Sequence, residues 1–386
     1  MTINGYEIEL TLNNSEAEEF DYRSITFSLR DSIYSLYCSG TFSIHDPSGY
    51  LLEARAFSEG VPLGLSYGIL GEFLSNSYFT HGMEVKGADT ALQLSGKIET
   101  GLTHISAKEH ECLSRSFDPV PSDIIKELYD HVFEDTFIEA TKAILPEEKK
   151  IFQPRMNQED FINKVLLPNS LSNEKTPSPF YCFIDSMNQL HYESYMKMYD
   201  RSPLATLYLN REKRIDSFYQ KILSFIPFTF DVRKHNKIFD FSIEGFTDEE
   251  TPQYEKSIQS IIDYGDSPYP VYNYPTEVQP WDNGFQNRTS EQVQANILFK
   301  QRNAICPDKI LVTVPLHTDF CSGQTVNIDV EYVDMNTSYS YEGKYLIERS
   351  DHVWDGETMS GYTQLVLGRK SPSFNPDSEL ERGMKK

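Results

Sequence analysis

Lys309-Ile310-Leu311-Val312-Thr313-Val314-Pro315, with the stretch that runs on from it to Arg369, decides the fold. Ile310, Val312 and Val314 alternate with more polar positions. After Pro315 and a turn at Cys321-Ser322-Gly323, Val326, Ile328 and Val330 alternate in the same way with Thr325, Asn327, Asp329 and Glu331. A period of two marks strands with one buried face, so these runs are expected as a half-buried strand pair. Lys344 to Trp354 and Tyr362 to Gly368 read as two further strands, joined by the turn-rich segment from Asp355 to Gly361. Four antiparallel strands would bury one face together. Just ahead of them, Thr289 and Gln292 are spaced as a capping box, and Val293, Ile297 and Ile305 repeat on one side of a helix. One helix closing a small curled sheet makes a self-sufficient unit.

The amino-terminal part has the same texture. Tyr6, Ile8, Leu10 and Leu12 alternate with polar residues, as do Ile25, Phe27 and Leu29, and Phe42 with Ile44 forms a third strand ended by Asp46-Pro47-Ser48-Gly49. A short helical segment is expected from Tyr50 to about Phe57. Alternation returns at Val61, Leu63, Leu65 and Tyr67, and again at Leu92, Leu94 and Ile98. Residues 1–112 therefore read as one β domain.

A different pattern occupies residues 113–202. Ser122 is placed to cap a helix whose Ile124, Ile125, Leu128 and Val132 share a face. A second helix, from Gln158 to Leu167 and capped by Asn157, carries Phe161, Ile162, Val165 and Leu166 at four-residue steps. Phe180 to Ile184 and Leu190 to Glu193 flank Asp185-Ser186-Met187-Asn188-Gln189 as a hairpin. These pieces form an inserted α+β domain. Strand-like sequence resumes between Leu204 and Phe246, while Arg211 to Phe225 fits helix and strand equally well. Residues 246–284 form an acidic, Pro- and Tyr-rich insertion, residues 203–245 with 285–371 a second β domain, and residues 372–386 a loose, mixed-charge tail.

The chain has 386 residues, enough for two to four domains, and its 39% hydrophobic content with 24 Phe and 24 Tyr suits a globular, mainly β protein. A net charge of -23 disfavours nonspecific binding to nucleic-acid phosphates, which needs Lys and Arg to displace counterions. Cys38, Cys112, Cys182, Cys306 and Cys321 are scattered without a CxxC pair and read as free thiols made in a reducing cytoplasm. Residues 1–7 lack the basic and apolar regions of a signal peptide, and no apolar run approaches membrane-spanning length.

Three stretches carry a resemblance. Leu29-Arg30-Asp31-Ser32-Ile33-Tyr34, followed by Gly40-Thr41-Phe42-Ser43-Ile44-His45-Asp46, resembles the opening strands of the central baseplate hub proteins of contractile phage tails, relatives of the hub part of VgrG-type spikes. The hairpin from Phe180 to Glu193 resembles the aromatic strand, turn and strand of that family's inserted domain. Gly343 to His352 with Tyr362 to Leu367 resembles the closing hairpin of its second barrel. The resemblance implies two similar antiparallel β-barrel domains per chain and a homotrimeric ring that mimics sixfold symmetry. Such a ring adapts a hexameric tail tube to a trimeric central spike. Implied partners are further copies of the chain, the spike, the tail tube or its distal initiator protein, and other baseplate proteins. DNA would pass through the channel without specific binding, as suits an acidic protein. The implied location is the virion baseplate, assembled in the host cytoplasm, with no membrane insertion.

Chemistry is sparse by comparison. His104, His110 and Cys112 lie close together, yet no second spaced pair completes four metal ligands. Asp351, His352 and Asp355 resemble an acid/base cluster, but successive strand residues point to opposite faces, so Asp351 and His352 read as hairpin polar residues. The 58 acidic residues make a chance carboxylate pair for glycoside cleavage uninformative. Gly64-Leu65-Ser66-Tyr67-Gly68 has the Gly-x-Ser-x-Gly spacing, but it lies within the alternating strand run through Leu63, Leu65 and Tyr67 and not at a strand-to-helix turn, so it makes no nucleophile elbow, and no Gly-rich phosphate loop is present. Tyr264, Tyr269, Tyr272 and Tyr274 read as a partner contact. No catalytic residue, cofactor or metal is therefore expected, and the chain reads as a structural protein, not an enzyme. The rival readings are a tail-associated cell-wall hydrolase and the hub of a related contractile injection or secretion machine.

Overall fold

A computed structural model describes residues 2–3, 6–12, 25–46, 60, 62–69, 72–88, 91–100, 113–129, 132–133, 135–143, 150–173, 178–209, 220–229, 238–241, 272–275, 295, 298–299, 308–329 and 341–369. The first β unit contains β1 (Thr2–Ile3), β2 (Tyr6–Leu12), β3 (Ile25–Ser32), β4 (Ser39–Asp46), β5 (Pro62–Ile69), β6 (Glu72–Ala88) and β7 (Ala91–Thr100). The α+β insertion follows with β8 (Leu113–Phe117), α1 (Pro121–Tyr129), β9 (Thr136–Ile138), β10 (Ile151–Met156), α2 (Gln158–Phe161), β11 (Phe180–Ile184), β12 (Leu190–Ser194) and α3 (Tyr195–Tyr199). The remaining strands are β13 (Thr206–Tyr208), β14 (Ser224–Thr229), β15 (Ile238–Phe241), β16 (Tyr272–Pro275), β17 (Asp308–Pro315), β18 (Thr325–Asp329), β19 (Gly343–Asp355) and β20 (Ser360–Arg369). The fold is mainly β with a mixed insertion.

The two β units share one sheet. Its path runs β1-β2-β5-β6-β7-β4-β3-β19-β20-β17-β14, and β18 also pairs with β19 and carries β13. The long strand β19 makes this possible because one of its edges serves both units. Gly343 to Leu346 pair with β18, whereas Arg349 to Asp355 pair with β3. Between the two runs the ladder to β20 shifts register at Ile347/Arg349, so Glu348 occupies a β-bulge at the hand-over. Among the described residues the ladder does not close on itself.

Burial follows the alternation. Ile25, Phe27, Leu29, Leu63, Leu65 and Tyr67 form the first unit's core, joined by Leu316 and Trp354 from the second. Ile310, Val312, Val314, Val326, Leu365 and Leu367 form the second unit's core. The insertion has its own core around Ile125, Phe161, Val165, Leu166, Phe180 and Tyr192, into which Leu36 projects from the β3–β4 connection.

Several expectations change. The runs through Ile310 and Val326 do become strands, but β17 and β18 do not pair with each other. They flank the β19–β20 hairpin, in the antiparallel order β17-β20-β19-β18. The segment between them makes no tight hairpin. It crosses the molecule, buries Leu316, Phe320 and Cys321, and delivers Ser322 to a buried carboxylate. Three pairings among the described residues, β13 with β18, β12 with β9 and β15 with β16, are parallel. Strand β6 carried no clear alternation in sequence. Ser122 lies inside α1, behind Pro121, which suits the first helical position. Its hydroxyl accepts from the Thr141 amide instead, at 3.2 Å. Val132 lies beyond the helix end and is 42% exposed. Asn157 caps α2 as expected, accepting from the Asp160 amide at 2.7 Å. That helix then widens into a π turn at Ile162–Leu166 and tightens into a 3-10 turn at Leu167–Asn169. The Phe180 hairpin forms as read, with Asn188 in the left-handed region at φ 61°.

Of the open segment Arg211 to Phe225, residues 220–225 are described, and Ser224 and Phe225 begin β14. Tyr272 and Tyr274 lie in β16, parallel to β15. The expected helix near Thr289 is described only at Ala295, Leu298 and Phe299, where Ala295 and Leu298 pack on Leu171. The Tyr50 segment, His104, His110, Cys112, Tyr264, Tyr269, Cys306 and residues 372–386 lie outside the described residues.

Candidate functional site: a buried polar junction

Three chain segments meet at Asp31. In β3 the apolar alternation Ile25, Phe27, Leu29 puts position 31 on the buried face, and the carboxyl there is 0% exposed. Its Oδ2 accepts from the Ser186 amide of the insertion's hairpin turn at 2.7 Å. Its Oδ1 accepts from the Ser322 hydroxyl at 2.9 Å and the Ser322 amide at 3.3 Å. One side chain thus ties the first β unit to the insertion and to the second β unit. Burial, and then the charge of Asp185, push its pKa up to about 7.

The hairpin turn is held from behind. Asp185 accepts from the Gln189 amide at 2.8 Å and pairs with His191 Nε2 at 3.0 Å, while His191 Nδ1 faces Glu193 at 3.2 Å. The His191 ring is stacked between Phe137 and Phe183, with centroids 4.8 and 4.5 Å away. Burial pulls the imidazole down, but the two carboxylates outweigh it and its pKa rises. Arg201 pairs with Glu193 and donates to the Gly323 carbonyl at 2.8 Å, which again links insertion to second unit. Gly323 has φ +82°, and a Cβ there would lie 2.7 Å from the Phe183 ring. Only glycine fits this crossing.

A second knot forms at the bulge. Glu348 is 1% exposed, pairs with Lys309 of β17, and accepts from Tyr34 at 3.0 Å and from Tyr195 at 3.3 Å. Burial raises its pKa against the pull of Lys309. Ser32 and Ile33 donate to the Glu348 carbonyl, and Arg30 pairs with Asp351. Asp351, His352 and Asp355 do not converge, in keeping with their reading as polar residues of the hairpin. Asp351 binds Arg30 and Arg349, and Asp355 accepts from the Glu357 amide and the Thr358 hydroxyl. His352 turns inward to the hydroxyls of Ser186, Ser350 and Thr363 at 3.3, 3.1 and 3.2 Å, and burial lowers its pKa to about 3. Cys38, Cys182 and Cys321 are free and buried. Among the described residues no group of His, Cys, Asp and Glu is arranged to hold a metal, and no helix is long and apolar enough to cross a membrane.

No family model and no curated protein matches the sequence. Solved structures do. The tail protein from Neisseria meningitidis MC58 is 11% identical and superposes with a TM-score of 0.59 over 95% of this chain and 97% of its own. The 43 kDa tail protein of prophage MuSo2 from Shewanella oneidensis is 10% identical, with a TM-score of 0.58 over 94% and 97%. The chain has the fold of these phage tail proteins. The c3393 protein of E. coli, a component of the type VI secretion system, shares that fold at 8% identity and a TM-score of 0.51, over 95% and 78%. The resemblance read from Leu29 to Tyr34, the Phe180 hairpin and the closing hairpin therefore holds at the level of fold, and all three stretches meet in the buried junction. Sequence reading found the segments but not the contacts. Asp31, Asp185, His191 and Glu348 were not singled out, although strand parity already placed Asp31 among core residues.

Proposed function

We propose that the chain is a structural hub of a phage-tail baseplate. Three copies form a ring of pseudo-sixfold symmetry that joins the tail tube to a central spike and encloses the DNA channel. The observation that carries this reading is the extent of the shared fold, 95% of this chain against 97% of the Neisseria tail protein. The domain boundaries at 112, 202, 245, 284 and 371 go with it, as do tube, spike and baseplate partners and a virion location. The net charge of -23 suits a wall that DNA passes without sticking. Asp31 and Asp185, two carboxyl groups brought together among the described residues, are 0% and 1% exposed, so no polysaccharide reaches them, which supports a non-enzymatic reading. The similarity to the E. coli secretion-system component favours one variant of the proposal, in which the same hub serves a secretion machine. Tail genes beside its own would assign it to a phage, and secretion genes to the machine.

Light scattering across a concentration series, with negative-stain images of the peak, tests the hub. A threefold mass and a ring with a central hole are expected. A monomer at every concentration that stays monomeric with spike protein added, or release of fragments from peptidoglycan, would overturn the reading.

A further inference from the structure

Asp31 and Asp185 are two carboxyl groups sealed in one place, and only one of them has a cationic partner. Asp185 has His191 at 3.0 Å. Asp31 has, among the described residues, only the neutral donors of Ser186 and Ser322. The groups around it are few. Asp185 comes from the hairpin turn, Cys38 from the β3–β4 connection, Cys321 from the turn before β18, and Tyr67 from β5. Tyr78 of β6 stands next to Tyr67, Asp319 next to Cys321, and His352 of β19 reaches Ser186. His191, Glu193 and Arg201 form the charged chain behind Asp185. Burial keeps the thiols of Cys38 and Cys321 and the Tyr67 hydroxyl protonated, and keeps His352 neutral.

We propose that Asp31 is a proton-operated latch between the insertion and the two β units. Protonated, it holds the Asp185–Gln189 turn and Ser322 against β3. On losing its proton beside Asp185 it lets the hairpin turn go. A carboxylic acid keeps an acceptor on each oxygen, so the Ser186 and Ser322 bonds survive protonation. Ionised, Asp31 becomes a second anion in a dry site next to Asp185, and opening to water is the relief. The proton goes to solvent and no covalent bond changes. Since the closed state holds the proton more tightly than an exposed carboxyl, the latch is firmest below the ordinary carboxylate range and weakens as pH rises to about 7.

Hydrogen exchange followed by mass spectrometry on the intact chain, corrected for intrinsic rates, reads the latch in peptides covering residues 180–194 and 316–328. Protection there is expected to fall on the order of tenfold per unit between about pH 5 and pH 7, the slope that one proton allows. A peptide from β4 should not change. Asp31→Asn keeps an acceptor but cannot ionise, and its profile should be flat. Should that variant fail to fold, Asp185→Asn retains an acceptor for Gln189 while removing the repulsion, and should narrow the fall. A flat wild-type profile, an undiminished fall in Asp31→Asn, or an undiminished fall in Asp185→Asn would overturn the latch. The readout needs only the single chain, so it succeeds or fails independently of ring formation.

Discussion

Replacing Lys309 with Met removes the cation from the bulge knot, together with its 3.1 Å bond to the Tyr34 hydroxyl. Glu348 would keep the hydroxyls of Tyr34 and Tyr195 at 3.0 and 3.3 Å, and it would remain 1% exposed. Breaking one side of a buried ion pair costs about 3–5 kcal/mol, because the remaining charge is uncompensated. The carboxyl has an escape, which is to take a proton. Holding it neutral costs about 1.4 kcal/mol for each pH unit above an ordinary value near 4.3, so about 1 kcal/mol at pH 5 and at most about 5 kcal/mol at pH 8. Burial already raises Glu348, and Lys309 is the strongest influence holding it down, so the substitution raises it further. A raised carboxyl contributes stability that is present in full below its unfolded pKa and lost as pH rises through the folded one. Lys309→Met should therefore lie within about 1 kcal/mol of the parent at pH 5 and lose about 3–4 kcal/mol at pH 8. Urea unfolding followed by the fluorescence of Trp354, which is 0% exposed, reads both values. Adding Glu348→Gln should restore most of the loss at pH 8. Equal losses at the two pH values, or a double variant as unstable as the single one, would refute the reasoning.

Gly368→Ala should destabilise the same knot by about 1–3 kcal/mol, as overpacking does. Its Cβ would lie 2.3 Å from Glu348 Oε1 and 2.9 Å from the Tyr195 hydroxyl, and thermal unfolding should show the penalty shrink once Glu348 is also Ala, the Tyr195 contact remaining. Cys38, Cys182 and Cys321 are buried and their thiols are pushed up, so a maleimide should label them slowly in the native chain and rapidly in urea; fast native labelling would contradict the packing.

The sequence was informative wherever one face of an element met a core. Ile25, Phe27, Leu29 and the closing hairpin announced their strands through a period of two, and Asn157 announced its helix through a local hydrogen bond. Partner choice was not local. Nothing in the run through Ile310 says that its neighbours are β14 and β20, because pairing depends on where distant segments lie. Strand β6 was missed for a related reason. Its span holds Ser75, Ser77, Thr80, His81 and Gly82, with no sustained apolar alternation, and it is recruited between β5 and β7. The junction was half visible. Parity put Asp31 on the inner face of β3, but the donors that make its burial tolerable come from residues 155 and 291 positions away.

Why the junction is charged follows from the shared strand. Because β3 and β18 dock on one edge of β19, the two β units are joined by a ladder from Arg349↔Ser32 to Asp355↔Thr26, and a slip of one residue would turn every side chain to the wrong face. Apolar contacts tolerate such slips better than paired charges do. Glu348 with Lys309, Tyr34 and Tyr195, and Asp31 with Ser186 and Ser322, draw their partners from both units and the insertion, so they are satisfied only when all three are in register. Buried polar groups of this kind add little net stability over an apolar plug, so specificity is the reason to place them here. In the proposed hub each copy must present two β units in one fixed relation, since a threefold ring imitates sixfold symmetry only if the units within a copy are set as firmly as the copies are. A chain with apolar substitutes at Lys309 and Glu348 could fold as stably and still lose the ring.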